Sequence, residues 1–336
     1  MNNSPFTLHE ILLKNNPPAL TFEKNKDRDL YEWREEVRKA FAEVIRKPEK
    51  TLSSPAIIEY EKEHEDYHEI RFQFESEPSY FVPGHYLYPK NLTHKVPVII
   101  CLQGHSPGMH ISLGRFRSEE EEKDNQGDRN FALQAVERGF AALIIEQRNF
   151  GECSDPENFR RGGCHIPAMQ AILLGRTTIG ERALDVSRAI DIAADMPFAD
   201  TDRIGIMGNS GGGTATYYAS CTEDRIKALM PSCAFCTVED SIFSISHCQC
   251  NFMPGMLKYF EMADLAVLLA PRPLVVVYGK KDNIFPEHGV LKAYEVAKEI
   301  YKKFGAEDKI RLVPGDEGHR FYEYPSWDVF REVTGW

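Results

Sequence analysis

The chain has 336 residues, 42% of them hydrophobic, and a formal net charge of −11. That length suits one large α/β domain with extensions, or at most two domains. The acidic balance argues against nucleic acid or an anionic membrane as partner, and no apolar run reaches the roughly 18 residues needed to span a bilayer.

The first 50 residues are polar and broken by Pro17-Pro18 and Pro48. Between the breaks, Leu30, Trp33, Val37, Phe41 and Val44 recur at helical spacing, which predicts an amphipathic helix over 29–46 that braces residues 51–336. The N-terminus shows neither a basic nor an apolar leader region, so the cytoplasm is the expected compartment. Strands are expected around Ile57–Tyr60, His68–Phe74 and Tyr80–Val82, with Pro83-Gly84 and Pro89 as punctuation. Val96–Leu102 reads as a strand buried on both faces. Helices and strands then alternate. Phe131–Arg138 is a helix and Ala141–Ile145 a strand, followed by an irregular connection to about Gly175. Ile179–Met196 is a helix, and strands follow at Ile204–Met207, Ile226–Met230, Leu274–Tyr278 and Ile310–Val313. Gly289–Tyr301 and Ser326–Val333 are the last helices. This alternation predicts an α/β fold with a mostly parallel sheet covered on both faces, and residues 232–264 forming a partial cap with helices around Met256 and Leu265.

The chemistry centres on Gly208-Asn209-Ser210-Gly211-Gly212, which follows one strand and precedes a helix-competent segment. Gly-x-Ser-x-Gly in that setting is a nucleophile elbow: a strained turn holds the serine hydroxyl clear of the sheet, and Gly208 and Gly212 let two backbones nearly touch. A serine nucleophile needs a base, and the base needs a carboxylate to orient it. Asp282 follows the Leu274–Tyr278 strand, and His319 follows the Ile310–Val313 strand in a glycine-bounded loop. The three side chains leave the ends of core strands in the order Ser, Asp, His. We read Ser210, Asp282 and His319 as a catalytic triad. The backbone N–H groups of His105 and Gly211 are the expected oxyanion donors, each worth about 3 kcal/mol of transition-state stabilisation. The His105 imidazole is assigned no role.

These motifs resemble the α/β-hydrolases, in particular acetyl-xylan-esterase-like and dienelactone-hydrolase-like enzymes. The resemblance rests on Leu102-Gln103-Gly104-His105, Glu146 to Cys153, Gly208 to Gly212, Ala270-Pro271-Arg272-Pro273, Asp282 and Gly318-His319. Glu146, Asn149 and Cys153 stand where such enzymes carry Asp, Gly and Ser, and the Arg-Gly-Gln-Gly signature of the cephalosporin C deacetylases is absent. The resemblance implies a serine esterase acting through an acyl-enzyme on a small-molecule or carbohydrate ester, with acetyl preference by analogy. A lactonase of dienelactone-hydrolase type, a serine peptidase of prolyl-oligopeptidase type and a non-catalytic scaffold are the alternatives. No cofactor or metal is expected, and homo-oligomerisation is left open.

Eight cysteines are expected as buried free thiols. Cys233, Cys236, Cys248 and Cys250, with His247 beside them, form an imperfect zinc-knuckle spacing or a redox pair. Arg160, Arg161, His165 and Arg176 could meet an acidic or hydroxyl-rich group, or serve as surface ion pairs, and His247 is read as standing away from the pocket.

Overall fold

The computed structural model describes residues 3–124, 127–155 and 163–336; Arg160 and Arg161 lie outside them. Among the described residues nine strands form one sheet: β1 (Ile57–Glu63), β2 (Tyr67–Glu77), β3 (Tyr80–Pro89), β4 (Val96–Leu102), β5 (Ala141–Ile145), β6 (Ala199–Asn209), β7 (Ile226–Ser232), β8 (Leu274–Gly279) and β9 (Ile310–Gly315). Their spatial order is β1-β2-β3-β5-β4-β6-β7-β8-β9. The pairs from β1 to β5 through β3 are antiparallel, and every pair from β5 to β9 is parallel.

The period of two along each strand divides the core. On β4, Val98, Ile100 and Leu102 face one layer while Ile99 and Cys101 face the other, and β5 and β8 split in the same way. The first layer is covered by helices Leu30–Ile45, Thr178–Ala193, Gly211–Ser220 and Glu287–Lys303. The second is covered by Phe131–Glu137 and Glu323–Thr334, which contribute Phe131, Trp327 and Phe330. Strands buried on both faces read as unbroken apolar runs, which is why β4, β5 and β8 stand out in the sequence.

The helix predicted over 29–46 runs from Leu30 to Ile45. The Asp29 carboxylate accepts hydrogen bonds from the N–H groups of Tyr31 and Glu32, and Arg46 ends the helix in a left-handed conformation. Its Trp33, Val37, Phe41 and Val44 sit in the main core. The Arg34 guanidinium donates to the carbonyls of Val267 and Ala270, at 2.7 and 2.6 Å. Phe41 packs edge-on against Phe260.

One helix was not foreseen, and three local expectations need correction. Pro5–Asn15 is a helix with Pro5 in its first turn, though Phe6, Leu8, Ile11 and Leu12 are all exposed and give it no buried stripe to read. His165–Leu173 is a helix inside the stretch expected to be irregular. Strand β3 runs straight through Pro83-Gly84, because Gly84 lies against the Phe72 ring and the Ile144 carbonyl, where a Cβ would come within 2.7 Å of each. In the insertion after β7 the helix expected around Met256 is a single turn, Met256–Lys258, with another turn at Gln249–Asn251, while the one expected around Leu265 is present as a turn at Met262–Leu265 that runs into the short helix Ala266–Leu269.

Because β5 and β6 flank β4 on opposite sides, the chain reverses its direction of travel across the sheet there. A crevice opens at the carboxyl ends of β4 and β6, the usual ligand position in open α/β sheets. The loops leaving β4 and β5 are tied together beneath it. The buried Glu146 carboxylate accepts from the N–H of Met109, at 3.1 and 3.2 Å, and from the N–H of Glu152 at 3.2 Å. Gly151, at φ +42°, passes so close that a Cβ would lie 2.0 Å from the Glu146 Oε2. Gln147 donates its side-chain amide to the Gln103 carbonyl. Arg148 makes a two-pronged bond to buried Asp185, both contacts 2.8 Å, pairs with Glu77 at 2.7 Å and lies over the Tyr80 ring.

Removing one partner of a buried ion pair strands the other charge. Arg148→Ala is therefore expected to lower unfolding free energy by about 3–5 kcal/mol, measured by urea denaturation. Burial pushes the Glu146 carboxyl up to about 7, despite the two N–H donors that oppose the shift. A carboxyl with a raised folded-state pKa gives stability that is fully present below its unfolded value and lost as pH rises through the folded one. Relative to Glu146→Gln, the native chain should lose roughly 3 kcal/mol between pH 4.5 and pH 8. Denaturation curves for both proteins across that range check the sign and the size.

Candidate active site

Ser210 sits between β6 and the helix Gly211–Ser220, at φ +58° and ψ −124°. A non-glycine residue held there stores strain that the surroundings must impose. They do so through backbone packing. A Cβ on Gly212 would stand 2.1 Å from the Leu102 carbonyl oxygen, and one on Gly208 would stand 2.6 Å from the Gly212 backbone. The Ser210 N–H donates to the Ser232 carbonyl at 2.9 Å, and the Ser232 hydroxyl donates to the Asn209 Oδ1 at 2.9 Å. The turn is thus held from β7 as well as from its own strand.

The carboxylate comes from the loop after β8. Asp282 Oδ1 accepts from the N–H groups of Ile284 and Phe285, at 2.8 and 3.1 Å. Its Oδ2 lies 2.8 Å from His319 Nδ1. Burial alone would raise the Asp282 pKa. The His319 hydrogen bond and charge outweigh it, helped by the two backbone donors, and hold the carboxyl below its ordinary value. The Phe285 ring lies nearly parallel to the imidazole, 15° between planes and 5.9 Å between centroids. The loop carrying His319 is fixed by the Tyr322 hydroxyl, which donates to the Gly318 carbonyl at 2.7 Å, and by the Lys281 N–H, which donates to the Glu317 carbonyl at 3.0 Å.

Ser210, His319, Gly104 and His105 line one cavity of about 310 Å³. Gly104 abuts the elbow: a Cβ there would lie 2.6 Å from the Asn209 carbonyl oxygen and 2.8 Å from the Ser210 Cβ. Gly211 opens its helix, and first-turn N–H groups have no acceptor within the helix. A hydroxyl, an imidazole oriented by a buried carboxylate and a helix N-terminus facing one space are the parts of nucleophilic acyl transfer.

Other expectations fare differently. His247 lines the cavity, against the reading that set it aside; its ring meets Phe285 edge-on and its Nε2 lies 2.9 Å from the Ser241 Oγ. Arg176 is held in ion pairs with Glu77 and Glu181, while His165 is exposed at the start of its helix. The four cysteines grouped by spacing are separated in space. Cys233 Sγ lies 3.1 Å from the Arg320 carbonyl beside Asp282 and His319, and Cys236 faces the Pro286 carbonyl. Cys248 and Cys250 instead meet Cys164 and His105. Arg129, Asn251 and Phe285 also reach the cavity. Of these, only Phe285, three residues after the acid, carried a positional hint.

A sequence model of the Abhydrolase family matches residues 3–309. The "Putative hydrolase YtaP" of Bacillus subtilis (strain 168) is 27% identical over 243 residues, 70% of this chain and 77% of that protein. Among solved structures, a "putative acetyl xylan esterase" from Bacteroides fragilis NCTC 9343 superposes with a TM-score of 0.79 at 19% identity, covering 97% of this chain and 84% of that one. A glucuronoyl esterase from Solibacter usitatus gives a TM-score of 0.67 at 14% identity, covering 90% and 91%. The nine-stranded sheet and the family match agree, and the chain belongs to the Abhydrolase family of α/β-hydrolases.

Proposed function

We propose that the chain is a serine carboxylic ester hydrolase with Ser210 as nucleophile, His319 as general base and acid, and Asp282 as the residue that orients the imidazole. The observation that carries this reading is the 2.8 Å His319–Asp282 contact on the wall of the cavity that holds the strained Ser210. In this mechanism His319 takes the hydroxyl proton as Oγ attacks the ester carbonyl. The oxyanion rests on the N–H groups of His105 and Gly211. His319 then protonates the leaving alcohol, and water repeats the sequence on the acyl-enzyme. Asp282 stays ionised and stabilises the imidazolium.

The substrate we favour is a short acyl ester of a carbohydrate or other hydroxyl-rich alcohol. Two features support it: a cavity wall that sets Arg129, Asn251 and His247 beside the apolar Phe285, and the likeness in fold to the "putative acetyl xylan esterase" and the glucuronoyl esterase. In this reading residues 1–50 are a brace, residues 51–336 carry the chemistry, and residues 232–264 roof the pocket through His247, Cys248 and Asn251. Eight cysteines without a disulfide fit a reducing compartment, which favours the cytoplasm.

The test runs p-nitrophenyl acetate, acetylated xylo-oligosaccharides and dipeptide p-nitroanilides against the native chain, Ser210→Ala and His319→Gln. Ester turnover should exceed anilide turnover, and each substitution should lower kcat by about 10⁴-fold or more while the far-ultraviolet circular dichroism is unchanged. A fluorophosphonate probe should label the native chain and leave Ser210→Ala unlabelled. Full ester hydrolysis by Ser210→Ala would overturn the reading, and faster anilide cleavage would favour a peptidase.

A further inference from the structure

Three stretches of chain bring four ligating side chains together beside the cavity. His105 leaves the loop after β4, Cys164 stands at the start of the helix His165–Leu173, and Cys248 and Cys250 belong to the insertion after β7. The three thiol sulfurs and one imidazole nitrogen lie within 4.8 Å of one another. His105 Nε2 is 3.3 Å from Cys250 Sγ. Around a tetrahedral zinc ion, with bonds of about 2.3 Å to sulfur and about 2.0 Å to nitrogen, ligand atoms stand about 3.5–3.8 Å apart. The cluster therefore needs little movement to close on such an ion. A cavity of about 730 Å³, lined by His105, Phe150, Cys164 and Cys248, gives the ion a route in.

A second observation concerns charge. Arg182 is 2% exposed, and its guanidinium lies 3.7 Å from Cys250 Sγ and 3.9 Å from Cys164 Sγ. It lies over the Phe150 ring at 4.3 Å and donates to the Arg148 carbonyl at 2.8 Å. Among the described residues no carboxylate pairs with it. A buried cation facing neutral thiols is strongly unfavourable. Three thiolates and one Zn²⁺ sum to −1, which Arg182 would neutralise.

We propose that Cys164, Cys248, Cys250 and His105 bind one Zn²⁺ ion in a closed four-coordinate site, with Arg182 as its counter-charge. Binding releases the three thiol protons to solvent, and no ligand position remains open for catalysis. The ion instead clamps the loop after β4 to the insertion after β7, so the backbone of His105 is held where the esterase reading needs a donor. The site itself does not depend on that reading. A disulfide would join only two of the thiols and would leave the imidazole and Arg182 unexplained.

The protein is produced with added zinc, purified without chelator under reducing conditions, and its metal content measured by inductively coupled plasma mass spectrometry. The native chain and Ser210→Ala should both carry about one zinc per chain, and the Cys164→Ser/Cys250→Ser double variant less than about a tenth of that. Chelated native protein reloaded with Co²⁺ should show intense visible bands of a tetrahedral ion and near-ultraviolet thiolate charge transfer, a readout that does not need the variant to fold. Native chain holding less than about a tenth of an ion after Zn²⁺ incubation, with no cobalt spectrum, overturns the proposal. So does a metal-free chain whose intact mass and thiol titration show two of these cysteines joined. Metal content stays readable if no ester is hydrolysed, so loss of the esterase reading and loss of the zinc site give different results.

Discussion

Close approach of bare backbone governs the candidate site. The Leu102 carbonyl oxygen occupies the space that a Cβ on Gly212 would need, and Gly208 and Gly104 press against the same turn. This contact fixes where the helix Gly211–Ser220 can start and forces Ser210 to φ +58°. A side chain at any of the three glycines would push strand and helix apart and let the serine relax. The orientation of the hydroxyl is therefore a property of packing between main chains, and the groups around it serve to keep that packing in place.

Those groups are largely ionisable. Glu146 and Arg148 stand side by side at the end of β5, one turned toward the loop after β4 and the other toward Asp185 on the helix behind the sheet. Glu146 supplies acceptors to two loop N–H groups and Arg148 ties its loop to Asp185 and Glu77, and each arrangement costs desolvation and gains geometric definition. Asp282, like Arg148 and unlike Glu146, is held in its charged form. Its burial is more than offset by the imidazole and two N–H donors, so it keeps its charge where an orienting carboxylate needs it.

The parallel strands were legible because burial on two faces leaves unbroken apolar runs, as in Val96–Leu102 and Leu274–Tyr278. The elbow was legible because its glycines are demanded by sterics local to five residues. The helix Leu30–Ile45 showed its stripe because one face is wholly buried. The helix Pro5–Asn15 had no such stripe, and Pro83-Gly84 looked like a break because the Phe72 ring that needs the glycine is distant in sequence. The cysteines were hardest. Spacing grouped Cys233 and Cys236 with Cys248 and Cys250, whereas Cys164 and His105, remote along the chain, are the true neighbours of the second pair. Clusters assembled from three loops leave no local pattern.

The brace between Arg34 and the carbonyls of Val267 and Ala270 joins residues more than 230 positions apart. On the ribosome, Arg34 and Phe41 emerge long before Val267 and Phe260 exist to receive them. One side of the sheet therefore stays incompletely sealed until the stretch after β7 has been made. Contacts so distant in sequence are slow to form, so this face of the helix is among the last parts of the core to close.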